Sequence, residues 1–336
     1  MTTPLLPTDD QIERGLTRLL KHVEANPVPS SHQTHQPARR RARRISLRIG
    51  VGAIAVAAAT ALIVFTGTLG TPGGGASAQA AEVLNAAATA TINSSDLVVP
   101  PGQYLKVETV GSYTSQDLTG TAGSHQYNSV SSLYIPADRS DQWVWVRDEP
   151  APTLATNPND LAAATKSWLG MAADEKHRVV RGHPEDADNS MFSTPTALES
   201  YSRDPKVLLE QIGGSSKDSS RTSATAWVKI TDLLQTGLIP ADLRAALYKT
   251  AVLIPGISLL GTDETLNGRS GDAIGLVVTS RETDASAASI RQTIIIDPDN
   301  GQMIGRRTVA LDSSGKSTGA SGEWTAVQTT VSPSAP

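Results

Sequence analysis

The chain has 336 residues and a net charge of −4 that divides unevenly: residues 1–48 carry nine Lys/Arg against four Asp/Glu, residues 49–336 twenty against twenty-nine. A basic head on an acidic body argues against a body that grips nucleic acid, which needs clustered positive charge for phosphates, so no direct nucleic-acid partner is expected. The absence of cysteine excludes disulfides, thiolate metal sites, thiol catalysis and a lipidated cysteine.

Residues 1–48 read as a cytoplasmic segment. Thr8 and Gln11 have capping-box spacing, and Asp9, Asp10 and Glu13 suit the positive end of a helix dipole. Ile12, Leu16, Leu19, Leu20 and Val23 then fall on one helical stripe, which predicts a frayed helix, a helix lying on the membrane, or a docking surface for a cytosolic protein. A polar, proline-bearing linker follows from Asn26 to Ala38.

Arg39, Arg40, Arg41, Arg43, Arg44 and Arg48 stand directly before Ile49–Gly70, a run without an ionisable side chain. As a helix, 22 residues would be about 33 Å long, enough for a hydrocarbon core of about 30 Å. The arginines then act as a topogenic cluster that holds the N-terminus inside and places the body outside. A cleaved export signal is the rival, with Ala78-Gln79-Ala80 as its small-residue site. Against it, a leader of about 80 residues far exceeds the usual 15–30. The expected localisation is a single-pass cell-membrane protein with an extracytoplasmic C-terminal domain.

Residues 71–80, opening with the Gly/Pro run Thr71–Gly75, read as a hinge. The outer domain is expected over 81–331, with a loose tail at 332–336. Ala78–Ile92 is alanine-rich and helical. Gln103–Thr114, Ser124–Ile135 and Gln142–Arg147 alternate as strands, with Trp143 and Trp145 on one face and Val144 and Val146 on the other. Asn157-Pro158 and Asp204-Pro205 each pair a cap with a first-turn proline, and Gly170 and Gly213 stop the helices they begin. Ala224–Gln235 and Pro240–Ile254 form a helix pair. Strands return at Ile257–Gly261, Asp272–Ser280, Ser289–Asp297, Gln302–Leu311 and Glu323–Val331, with Asn300-Gly301 as a hairpin signal. The predicted fold class is α+β: a transmembrane helix followed by an extracytoplasmic antiparallel sheet with helices on one face.

The segments AAEVLNAAA, PPGQYLKVET, DLRAALYKTAVLIPGI, GRSGDAIGLVV and IIIDPDNGQMIGRR, behind an Arg-rich anchor, resemble a family of actinobacterial single-pass membrane proteins of unknown function. The likeness covers nearly all of residues 39–310 by pattern, not by a chemical motif. Genes of that family often lie beside extracytoplasmic-function sigma factors, so the resemblance implies envelope-linked regulation with a sigma factor as a possible cytosolic partner. The outer domain also resembles, distantly, half-barrels that carry or sense lipids and lipoproteins. The inner segment lacks the histidine/cysteine metal motif of zinc-binding anti-sigma domains.

The chemical motifs dissolve on inspection. Ser313-Ser314-Gly315-Lys316 has the Ser-x-x-Lys spacing of acyl-transfer enzymes but lies in a Ser/Gly-rich loop, not at a helix start. Gly315-Lys316-Ser317 imitates the end of a phosphate loop, but the required earlier glycine is Ala310. Asp297–Gly301 lacks the distal glutamate of a calcium loop. His125, His177 and His183 have no helical metal spacing, and Glu108, Asp263 and Glu264 are paired with nothing by sequence. No enzyme activity, cofactor or metal is expected. Val107, Val144, Val146, Ile274, Leu276, Ile294 and Ile296 are expected on the sheet's inner face, where they line either a filled core or a cavity for an apolar ligand or lipid. The functional expectation is a non-enzymatic, membrane-anchored sensor or interaction protein. Binding or carriage of an apolar ligand is the alternative.

Overall fold

The computed structural model describes residues 74–94, 96–116, 124–155, 158–183, 198–214, 219–279, 289–318 and 322–336. The cytoplasmic stripe, the arginine cluster and the run 49–70 lie outside the described residues. Among those described, no helix is long and apolar enough to cross a membrane.

Among the described residues, alternating segments and short apolar runs buried on both faces build ten strands, all paired antiparallel. In chain order they are β1 (Tyr104–Gln116), β2 (Ser124–Pro136), β3 (Trp143–Asp148), β4 (Leu154–Ala155), β5 (His177–Gly182), β6 (Ser258–Leu266), β7 (Arg269–Thr279), β8 (Ser289–Ile296), β9 (Met303–Leu311) and β10 (Trp324–Ser332). The helices are α1 (Ala78–Ser94), α2 (Pro158–Gly170), α3 (Ala173–Lys176), α4 (Pro205–Ile212), α5 (Ser219–Gln235) and α6 (Ala241–Val252). The architecture is α+β and sheet-rich, as the pattern of strands, helices and strands predicts. The sheet order is β5-β3-β2-β1-β10-β9-β8-β7-β6, with β4 on β2.

Two meanders therefore meet at the last strand. β10 pairs with β1 over nine residues, Tyr104↔Ser332 to Ser112↔Trp324. Against β9 it pairs over only three, Trp324–Ala326. Where β10 and β9 part, Arg269 takes over: its guanidinium donates to the Val327 carbonyl at 3.2 Å and to Asp297 at 3.3 Å. The seam between the two wings thus depends on a side chain as well as on the ladder.

Helices cover the C-terminal wing. Ala80, Leu84, Ala87, Ala88 and Thr91 form the buried stripe of α1 at helical spacing. The alanines let α1 approach α6 closely, and those two helices share the most extensive helix contact. Beneath them, Trp227, Ile230, Leu233, Leu243 and Leu247 pack on Ile274, Ile294 and Ile296 of the sheet. At roughly 1.5–3 kcal/mol for each large apolar side chain buried, this layer is the main source of stability.

A polar knot crosses that layer. The Gly301 carbonyl accepts from Tyr248 Oη at 2.8 Å and from Thr91 Oγ1 at 3.2 Å. Arg244, almost wholly buried, donates to the Ile239 carbonyl at 2.8 Å and to Asp96 at 3.2 Å. The β8–β9 hairpin is therefore fastened to both α1 and α6.

Several boundaries differ from expectation. The segment read as a hinge is bound into the domain from Ala76 onward: Ala76 N–H donates to the Val252 carbonyl at 2.9 Å and Ser77 N–H to that of Ile257 at 2.8 Å. The tail read as loose is held, because Arg181 donates to the Pro336 carbonyl at 2.6 Å. The Asn300-Gly301 hairpin forms, but with a four-residue loop closed by Asp297 N–H to the Gln302 carbonyl, and only Gly301 is left-handed. The two-residue turn with both residues left-handed is Asn267-Gly268 instead, at φ 50° and 79°.

At Gly301, with φ 64°, an added Cβ would lie 2.1 Å from Thr91 Oγ1 and 2.4 Å from the Ala87 carbonyl. Gly301→Ala is therefore expected to lower domain stability by about 3 kcal/mol or more, read as a lower urea midpoint at unchanged slope.

Candidate functional site

The register assigns a face to every strand residue. Ile274, Leu276, Ile294 and Ile296 face α1 and α4–α6 and are buried in the filled core they share with those helices. Val107 faces the same side and packs with Leu105, Ile135, Trp143, Val327 and Leu238 from the loop after α5. Val144 and Val146 do not belong to this set. They stand opposite Tyr134 and Ser132, while Trp145 stands opposite Leu133, which pairs with Val107. Strand alternation sends them to the outer face, and the two tryptophans take their place.

The helix-bearing face of the N-terminal wing is a different surface. Its rows run across β1, β2, β3 and β5. One row is Val107–Leu133–Trp145–Val180, and the next is Thr109–Ser131–Arg147–Arg178. Beyond them Gly111 and Ser129 stand opposite each other, then Tyr113 and Tyr127 stack with centroids 5.5 Å apart. Gly111 has a reason to be glycine here, since an added Cβ would lie 2.7 Å from the Tyr113 ring that folds back over it. Val107 and Trp143 are buried, but Leu133, Trp145 and Val180 are only partly so. Among the described residues, then, the apolar end is capped by Leu238, and the face grades toward hydroxyls, arginines and tyrosines.

At the edge of this wing lies a cleft of about 490 Å³ lined by Arg147, Glu149, Met171, Asp174, Glu175 and Arg178. Arg147 pairs with Glu149. Trp168 fixes the wall by donating to the Glu149 carbonyl at 2.8 Å, and Lys176 sits 4.5 Å over the Trp168 ring. Glu175 accepts from the Ala172 N–H at 2.9 Å and closes the first turn of α3. The cleft therefore presents charge of both signs, of which Arg147 and Glu149 form an ion pair with each other, and no nucleophile beside a base. The β5 strand that supplies Arg178 and Val180 carries no clear strand signal in the sequence. HRVVRG is short and carries two arginines and a histidine, so its alternation shows only once Trp143–Asp148 pairs with it.

The motif residues resolve into turns. Asp312 accepts from the N–H groups of Ser314 and Lys316 at 2.8 and 3.0 Å, which makes Ser313–Lys316 a turn around an aspartate. Asp297 accepts from Asp299 N–H at 3.0 Å and from the Asn300 amide at 3.1 Å, so its carboxylate is used within the hairpin. His177 contacts Asp148 at 2.7 Å and His183 the Ser140 carbonyl at 3.1 Å, at opposite ends of β5. His125 lies on β2. Among the described residues no group of three or more potential ligands could hold a metal ion.

The structure does bring two carboxylates near each other that sequence could not pair. Asp272 opens the inner face of β7, and Asp263 sits at left-handed φ 62° within the bulged stretch of β6. Burial pushes the Asp272 carboxyl above the usual carboxylate range, and the Asp263 charge adds to it. Burial also raises the Tyr248 phenol well above its ordinary range.

No family model, curated protein or solved structure matches the chain.

A carboxyl with a raised native pKa makes the folded state bind more protons, so it costs stability as pH rises through that pKa. Below the ordinary carboxylate range both states are protonated and the cost vanishes. Asp272→Asn is therefore expected to be more stable than the parent at pH 7, with the difference closing as pH falls toward 3. Chemical denaturation at both pH values checks this.

Proposed function

We propose that this chain is a membrane-anchored sensor or interaction protein, non-enzymatic, whose outer domain is coupled to an inner segment that engages a cytosolic regulator such as a sigma factor. The observation that carries the reading is the junction at Gly75–Ser77. A carrier or structural domain needs only a flexible leash. Here the chain that follows the uncharged run is hydrogen-bonded to the end of α6 and to Ile257, just before β6, within seven residues of Gly70. Gly75 leaves no room for a side chain, since an added Cβ would lie 2.3 Å from the Val252 carbonyl. A change of state in the domain core would thus be felt where the chain enters the domain, at Ala76 and Ser77.

Arg39, Arg40, Arg41, Arg43, Arg44 and Arg48 support the inside placement of the N-terminus. The stripe Ile12, Leu16, Leu19, Leu20 and Val23 supports an inner docking element, because an isolated helix of that length gains stability in water mainly by packing on something.

A second reading, binding of an apolar or amphiphilic ligand, is favoured by the partly exposed row Leu133–Trp145–Val180 beside the arginines of the next row. It places the ligand on the N-terminal wing, since the C-terminal wing is filled by helices.

Affinity capture of the intact membrane protein, compared with a version lacking residues 1–38, tests the first reading. A cytosolic protein enriched only with the full chain is the expected result. Capture of no such protein, with lipid recovered by organic extraction of the purified chain, would favour the second.

A further inference from the structure

We propose that one defined end of the outer domain rests against the bilayer surface: the last turn of α6, the turn at 253–257 and the first turn of α4. This rests on the anchored reading above and adds the orientation that reading leaves open.

The argument begins with reach. From Gly70 to Ala76 the backbone spans six Cα steps, at most about 20 Å when fully extended. The headgroup layer takes about 5–7 Å of that on each side of the hydrocarbon core. Ala76 therefore lies within about 15 Å of the membrane surface. A domain of roughly 260 residues has a radius of gyration near 18 Å and is about 45 Å across. The connection is too short to pass around such a body, so the end that holds Ala76 must face the bilayer.

The contacts identify that end. Ala76 and Ser77 are bonded to Val252 and Ile257, which bracket the exposed turn at Pro255-Gly256. Thr250, two residues earlier, donates to the Pro205 carbonyl at 3.3 Å and brings the start of α4 alongside. Lys249 and Lys206 flank that contact, both exposed, and Val207 beside them is 46 % exposed. Lysine stems with an apolar neighbour suit a headgroup layer, where the chain lies along apolar material and the ammonium reaches phosphate. Glu82 of α1 and Glu210 of α4 are exposed on the same helices, so the surface is of mixed charge. It is the tether that sets the orientation.

The opposite end follows. α1 is about 25 Å long and runs away from the tether. Ile92 stands in its last turn and Leu97 and Val98 lie beyond it, the last 84 % exposed. This apolar tip is displayed away from the membrane.

The chain has no cysteine, so a single introduced thiol can be labelled without background. Full-length Lys249→Cys and Val98→Cys proteins, each carrying an environment-insensitive fluorophore, are reconstituted in vesicles containing lipids with a headgroup quencher. Carbonate extraction of the same vesicles reports anchoring. The expected result is carbonate-resistant protein with quenching at residue 249 at least threefold greater than at residue 98. Retention with equal quenching, or more at residue 98, overturns the orientation alone. Release by carbonate overturns the anchored reading and this inference with it.

Discussion

One carbonyl joins two helices of the packed layer to the tip of the sheet's β8–β9 hairpin. Gly301 sits at the tip of the β8–β9 hairpin, and its oxygen accepts from Thr91 on α1 and from Tyr248 on α6. Both lone pairs are used by side chains from different helices, and the two groups are separated from Gly301 by 210 and 53 residues of chain. The geometry closes only because Gly301 is left-handed and lacks a Cβ. Arg244 lies against the same knot, and its buried guanidinium reaches Asp96 just beyond α1. A buried cation is tolerated when it is paired and hydrogen-bonded, so these partners belong to one unit. If the knot loosens, α1 loses its far end and the hairpin loses its cover.

From that knot the mechanical path runs back along α1 and α6 to the tether. Both helices have one terminus at the hairpin side and the other at the Gly75–Ser77 junction. The C-terminal wing, covered by these helices, holds the larger buried core of the domain. The N-terminal wing joins it through a long β1–β10 ladder but a short β9–β10 one, so movement between wings has its natural weak line at that seam. A ligand or protein on the partly exposed rows of β2, β3 and β5 would act on the wing farther along the sheet from the tether.

Much of this was legible in the sequence, and the reasons for the rest are physical. Asp204-Pro205 announced α4 because capping is local: Asp204 does accept from the Lys206 and Val207 N–H groups. The strands β7 and β8 were legible because short apolar runs such as Ile294-Ile295-Ile296, bounded by turn residues, are what a strand covered on both faces requires. HRVVRG was not, because an edge strand with charged residues needs its neighbour to reveal it. Val144 and Val146 were assigned inward on hydrophobicity, although the face they share was already opposed to that of Trp143 and Trp145; only the register to Leu133 and Val107 decides which face is inner. Asn267-Gly268 and Asn300-Gly301 are the same dipeptide, so only the strand register shows that the tight two-residue turn is at 267–268. The knot at Gly301 and the carboxylates of Asp263 and Asp272 depend on long-range placement, which no local pattern encodes.

The central claim is that the chain crosses a membrane once, inner segment within and folded body without. Labelling of intact cells with a membrane-impermeant maleimide tests it most directly, using single-cysteine variants at Val277 on the body and at Ser30 in the inner segment. The account predicts that the Val277→Cys protein is labelled in intact cells and the Ser30→Cys protein only after lysis. Labelling of both before lysis, or of the inner position alone, would contradict it.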